Sequence, residues 1–201
     1  MSCLRIMIDK KYSSTVFVSD YTEYNRHNTH AQSEHSGVHI SEDPSNLIGS
    51  FELRNPRDLA FRAVNFEENP ALLIDDKKKT LSQCECMFDA LRHDHGKKHW
   101  VMLLELKYCL EKNVYTHVRA ALGQIQNTYV HLRDVLKIIV QDEVNLFWVI
   151  STPEVENALD SIDGAFFDQD ELLEIKESYK ANLFYSNVVE IQTSRHLRQL
   201  V

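Results

Sequence analysis

The chain has little glycine: five in 201 residues, with only four prolines. A Gly-rich phosphate loop, a nucleophile elbow and an H-E-x-x-H helix are all missing, so the usual nucleotide-cradling and hydrolase devices are excluded. Cysteine is also scarce. The four cysteines, at 3, 84, 86 and 109, form no disulfide framework. Alternation would put Cys84 and Cys86 on one strand face, where they are poorly placed to bond each other. No apolar run approaches the ~20 residues of a membrane span, and the start, Met-Ser-Cys-Leu-Arg, carries no secretory pattern. A reducing, cytoplasmic setting without membrane contact is therefore expected. Positive charge is in deficit. Lys and Arg number 22 against 30 acids, for a net charge of −8. That counts against an extended nucleic-acid surface, because phosphate neutralisation dominates such binding. Local clusters remain at Lys77-Lys78-Lys79 and over residues 92–99.

What is present is a hydrophobic content of 43 %, enough for a well-buried domain. Its densest signal lies over residues 84–108, where two apolar runs flank a polar loop containing Gly96. This reads as a β-hairpin. Asp89 sits in the first run, Glu105 and Lys107 in the second. Alternation puts Glu105 and Lys107 on one face with Val101, Leu103 and Cys109, and Trp100, Met102, Leu104, Leu106 and Tyr108 on the other. A pivot near Lys97 brings Asp89 almost opposite Glu105. Charges in an apolar strand are costly unless paired or bound to metal. The alternative is a cross-strand ion pair worth ~0.2–1 kcal/mol.

Around the hairpin, Asn55-Pro56-Arg57-Asp58 has the form of a helix start with Pro at the first helical position, which predicts a short helix over 59–68 stopped by Asn69-Pro70. Thr116 is a candidate N-cap for a helix over 117–139, whose stripe is Val118, Leu122, Ile125, Tyr129, Leu132 and Leu136. Residues 144–150 are continuously apolar and read as a buried strand. Residues 4–8 and 15–18 suggest an N-terminal hairpin, and 21–45 a long polar loop. Residues 37–40 and 47–53 suggest short strands, 170–180 a helix and 184–192 a terminal strand. No internal repeat is present. Residues 1–55 thus form a β-rich extension, and 56–201 the main domain.

The pair Asp89 and Glu105-Leu106-Lys107 resembles the acid and (D/E)-x-K of the PD-(D/E)XK nuclease superfamily, with Phe88 where many members carry Pro. The string Gly123-Gln124-Ile125-Gln126-Asn127-Thr128-Tyr129 is similar to the Q-x-Q helix of lambda-exonuclease-like (YqaJ-type) nucleases, and more loosely to the RecB-like helix. The resemblance implies an α/β protein with a restriction-endonuclease-like core. That core is α-β-β-β-α-β, a mixed central sheet flanked by helices, over roughly 56–152. It implies Mg²⁺- or Mn²⁺-dependent phosphodiester hydrolysis, with DNA as the partner. Asp89 and Glu105 would hold the metal, helped by the Leu106 carbonyl and an acid on the first helix, Glu68 or Glu67. Lys107 would position water and Gln126 would face the site. Carboxylates suit Mg²⁺, and a Lys beside them orients or activates water.

An E-x-K string is common by chance. Glu174-Ile175-Lys176 lies in a helical pattern, where residues two apart do not face each other. Asp75-Asp76-Lys77 has no suitable strand before it. Two other readings stay open. The fold could serve a catalytically silent binding or assembly module, and a homo-oligomer is compatible with either reading. A zinc site could form from Cys84, Cys86, His93, His95 and His99, though no second C-x-x-C or H-x-x-x-H pair accompanies them.

Overall fold

The structure is a computed structural model that describes residues 8–30, 32–46, 48–74, 81–91, 97–155 and 166–200. The lysine run 77–79, the string Asp75-Asp76-Lys77, His93, His95 and most of the segment 4–8 lie outside the described residues. The protein is an α/β fold with two mixed sheets and few helices. The first sheet has the order β1 (Lys10–Tyr12), β5 (Phe61–Asn65), β6 (Cys86–Ala90), β7 (His99–Leu106), β8 (Val144–Ser151), β9 (Ala181–Tyr185). The second has the order β11 (His196–Leu200), β10 (Val188–Thr193), β4 (Phe51–Arg54), β2 (Val16–Asp20), β3 (Val38–Ser41). Among the described residues there are three α-helices: α1 (Tyr21–His27), α2 (Val114–Val130) and α3 (Gln169–Ser178).

Strand β7 explains the layering. All eight of its residues are buried, as expected of a central strand covered on both faces. Trp100, Met102, Leu104 and Leu106 pack with Val16, Val18, Phe51, Leu53, Val189 and Ile191 of the second sheet. Val101 and Leu103 pack with Val118, Ala121, Leu122 and Ile125 of α2. The order is therefore sheet, sheet, helices. The expected core has a central sheet flanked by helices; here α2 covers one face, and the second sheet supplies enough apolar surface to cover the other.

Several local expectations hold. Strand β8 and α3 fall where periodicity puts them. A capping box holds the start of α3, with Asp168 accepting from the Glu171 amide and the Glu171 side chain accepting from the Asp168 amide. The predicted strands near 40 and 50 are β3 and β4. The free cysteines Cys84, Cys86 and Cys109 are buried and unbonded. Among the described residues no helix is long and apolar enough to cross a membrane.

Other expectations are overturned. The helix over 59–68 is instead strand β5. Phe61 and Ala63 join the core between the sheets, while Val64 packs on the helical side, so a period of two between two covering layers prevails over the Pro-led helix start. The first strand of the expected N-terminal hairpin lies mostly outside the described residues; within them, β1 pairs with β5 and β2 with β3 and β4, in different sheets. The polar stretch 21–45 contains α1, capped by Asp20, as well as β3. Helix α2 begins after Asn113 rather than at Thr116, and past Val130 it widens into one π-helical turn, His131–Val135. Residues 184–192 divide at Ser186 and Asn187 between β9 and β10, one strand in each sheet. The division at residue 55 separates no sheet, since β10 pairs in parallel with β4 and β1 with β5.

Candidate functional site

Strand β6 runs antiparallel to β7 with Cys86 opposite Leu104 and Asp89 opposite Val101. The Glu85 amide donates to the Leu104 carbonyl at 3.0 Å and extends this ladder. The same register sets Glu85, not Asp89, opposite Glu105. Directly opposed side chains have Cβ atoms about 4.5–5.5 Å apart. Asp89 is on the same face but four residues further along, roughly 13 Å at strand rise.

Asp89 is consequently corrected as a partner of Glu105. Its Oδ2 accepts from Arg62 Nε at 2.9 Å and from Arg62 Nη2, and its Oδ1 lies 2.9 Å from His99 Nε2. Arg62 is its direct cross-strand neighbour on β5. These three line a cavity of about 480 Å³ with Lys137, Ile138 and Glu143, at the far end of the hairpin from Glu105.

Glu105 is fully buried. The Lys107 ammonium approaches its Oε1 to 2.5 Å, and Lys107 itself is 8 % exposed. The Lys107 amide donates to the Ser151 carbonyl at 2.8 Å, which fixes the chain just past β7. Leu106 lies between the two with its side chain in the sheet–sheet core. Glu105 Oε2 has no hydrogen-bond partner among the described residues. Burial pushes the Glu105 carboxyl up to about 7; Lys107 acts in the opposite sense, while Asp20 and Glu23 add to the rise.

The surroundings are acidic. Glu85, half-buried, is held well above the ordinary carboxylate range by burial and then by the Glu105 charge, with Asp20 and Glu67 adding and Lys107 opposing. Asp20 is buried at the end of β2 and caps α1, its Oδ1 accepting from the Glu23 amide at 3.0 Å. Its own amide donates to the Tyr108 hydroxyl at 3.2 Å, and that hydroxyl donates to the Gly49 carbonyl at 2.8 Å. Burial raises the Asp20 pKa, and Glu23 and Glu67 raise it further. Lys107 shows the complementary effect. Burial disfavours its charge, but Glu105, Glu23 and Glu85 outweigh burial and raise its pKa. One ammonium thus faces several carboxylates brought from β2, α1, β6 and β7.

Helix α2 ties into this end of β6. Gln124 Nε2 donates to the Gln83 carbonyl at 2.7 Å, and the Thr128 hydroxyl accepts from the Cys84 amide at 2.9 Å. Gln126, two residues from Gln124, points about 200° round the helix from it, so the glutamine beside Glu85 is Gln124. Glu68 is corrected as well. It is exposed, and it lines a small pocket with Lys10, Tyr12 and Asn65. Its neighbour Glu67 is the one coupled to Glu85 and Asp20, and Glu67 Oε2 accepts from the Val38 amide at 2.8 Å.

The zinc alternative gains nothing. Cys84 packs in the helical core and Cys86 in the sheet–sheet core, so they do not share a face. Among the described residues, no three His, Cys, Asp or Glu side chains are grouped closely enough to enclose a metal ion. Mg²⁺ asks for less, since it takes one or two carboxylates and keeps several waters or substrate oxygens. Glu105 Oε2, buried and without a partner among the described residues, and Glu85 across from it are hard oxygen donors of that kind.

The residues missed in the sequence are Glu85, Asp20, Glu23 and Gln124. For Glu85 a signal existed, since it has the same parity as Asp89 and so the same face. Moving the pivot of the hairpin by two residues shifts the partner of each residue by four. Comparison of the chain with models of known families, with curated proteins and with solved structures finds no match in any of the three.

Proposed function

We propose that the chain has a restriction-endonuclease-like core and is a metal-dependent nuclease acting on DNA, with Glu85 in the role the sequence suggested for Asp89. The observation that carries this reading is Glu85 opposite a buried Glu105 that has one unpartnered oxygen, with Lys107 beside them. The topology supports it. The strands β5, β6 and β7 form an antiparallel meander, and α2 then crosses over to β8, parallel to β7. In this arrangement the start of β6 and the end of β7 meet.

Glu85 and Glu105 would hold a Mg²⁺ or Mn²⁺ ion. Bound there, such an ion lowers the pKa of a water and neutralises charge on a phosphate. Lys107 stays protonated at neutral pH because carboxylates surround it, so it serves as a charge rather than as a base. It orients water and stabilises negative charge that develops on the phosphate. Gln124 and Thr128 fix the backbone before Glu85 and hold its carboxyl opposite Glu105.

A second reading, a silent binding or assembly module, is favoured by one observation: Lys107 and Glu105 are buried and paired with each other. Two measurements separate the readings. A nuclease takes up Mn²⁺, which adds RT ln(1 + [L]/Kd) to its stability and so raises its melting temperature. It also degrades linear DNA with Mg²⁺ or Mn²⁺, and loses that activity in Glu105→Gln. Absence of cleavage across linear, circular and structured DNA and RNA, with no metal-dependent stabilisation, leaves the module reading.

A further inference from the structure

At the other end of β7 the charge is reversed. An open groove of about 420 Å³ is lined by Lys97, Lys98, Asn145, Thr193, Arg195 and His196. No acidic residue is among these, in a chain of net charge −8. Lys98, Arg195 and His196 are exposed. The groove lies eight residues along β7 from Glu105, roughly 26 Å at strand rise.

The backbone under this groove is pinned. The turn between β10 and β11 is held to the first sheet by the Trp100 amide, which donates to the Ser194 carbonyl at 3.1 Å. Asn145 Nδ2 donates to the Arg195 carbonyl at 2.8 Å, and the Arg195 amide donates to Thr193 Oγ1 at 3.2 Å. The His196 ring packs against Phe147 at 6.1 Å. Cationic side chains set on a fixed base lose little freedom on binding an anion. Arg54, Arg119 and Arg133, by contrast, are paired with Glu52, Glu171 and Asp134.

We propose that this groove docks the phosphodiester backbone of a nucleic acid, outside the carboxylate cluster. Lys98 and Arg195, on a fixed base and with no acid among the lining residues, suit a chain of phosphates. Such a chain would pass the acidic end only where a cation is bound. The groove would hold the substrate of the proposed nuclease, and to that extent rests on that reading. The test needs neither metal nor cleavage, so the two ideas fail separately.

The test is fluorescence polarisation of the full chain with a labelled single strand of about 20 nucleotides, in EDTA, over a series of salt concentrations. Binding is expected at low salt. Lys98→Gln with Arg195→Gln should weaken it about tenfold or more and reduce the slope of log K against log salt by roughly 1.4, the value for two phosphate contacts on a single strand. Arg198→Gln is the control. Arg198 lies on β11 opposite Glu190, and its loss should leave the slope unchanged. Thermal melting of each variant checks that it is folded. No binding at low salt, or binding that the double substitution leaves intact, overturns the proposal. So does complete displacement by millimolar inorganic phosphate at constant ionic strength, which would mark a single-anion site. Equal affinity for polyglutamate of the same charge would point to an acidic protein instead and overturn it as well.

Discussion

Glu105 is a fully buried carboxyl with one oxygen paired to Lys107 and the other unpartnered among the described residues. Its pKa, pushed up to about 7, means that the folded protein binds a proton more readily than the unfolded chain. A raised carboxyl contributes stability that is complete below its unfolded value near 4.5 and lost as the pH rises through about 7. Glu85 and Asp20 are shifted in the same direction. The melting temperature, followed by circular dichroism, should therefore fall between pH 5 and pH 8. Glu85→Gln removes a charge opposite Glu105 and should flatten that fall. It should raise the melting temperature at pH 8 by on the order of 2–4 °C, the shift that about 1 kcal/mol gives in a chain of this size, and abolish metal-dependent cleavage. Asp89→Asn should do the reverse. It weakens the acceptor of Arg62 and His99, costing about 1–3 kcal/mol in urea denaturation, and leaves cleavage intact. If Asp89→Asn abolishes cleavage in a folded protein and Glu85→Gln does not, Glu85 is not the metal-holding partner of Glu105.

At the scale of elements, α2 is more than a cover for the sheet. Thr128 is buried; its hydroxyl donates to the Gln124 carbonyl at 2.9 Å and accepts from the Cys84 amide at 2.9 Å. This bond anchors the chain one residue before Glu85. Thr128→Val keeps the shape but leaves the Cys84 amide unsatisfied, a cost of about 1–3 kcal/mol. A drop in the urea midpoint of that size is expected, together with weaker metal uptake, because the carboxyl beside the freed amide is no longer held. Thr128→Ser should restore both. The helix itself was legible from its apolar stripe, of which Val118, Leu122, Ile125 and Tyr129 are all buried against the sheet. The edge that meets the start of β6 was not. The choice between Gln124 and Gln126 depends on where the end of β6 lies relative to α2, and no periodicity contains that.

At the scale of the molecule, the two sheets are interleaved rather than joined in series. Val16, Val18, Phe51 and Leu53 cover Phe88, Met102 and Leu104 in one core, and Val189 and Ile191 return from the far end of the chain to complete it. A fragment of residues 56–201 loses β2, β3 and β4, and with them the partner of β10. It should fail to fold cooperatively and should aggregate, which gel filtration and circular dichroism would show, whereas the full chain should melt in one transition. An independently folded 56–201 fragment would contradict the shared core.

The sequence alone determined what depends on neighbours along the chain. Strand β8 is a continuous apolar run, β7 alternates its faces as expected, and Glu174-Ile175-Lys176 lies in a helix where its charges do not converge. It placed Glu105 and Lys107 on one face because a period of two is set by the backbone itself. Tertiary structure decided the rest. Strand β5 is a strand because layers lie on both sides of it, although its entry has the residues of a helix start. Asp89 has the face that alternation predicted but the wrong neighbour, since a register shift of four preserves the face and moves the partner by more than a turn of loop can reveal. Asp20 and Glu23 reach the cluster from a distant segment of sequence through the packing of one sheet on another. Spacing along a chain records local geometry, whereas the meeting of distant carboxylates depends on strand order and layer packing, which are settled only when the whole core is buried.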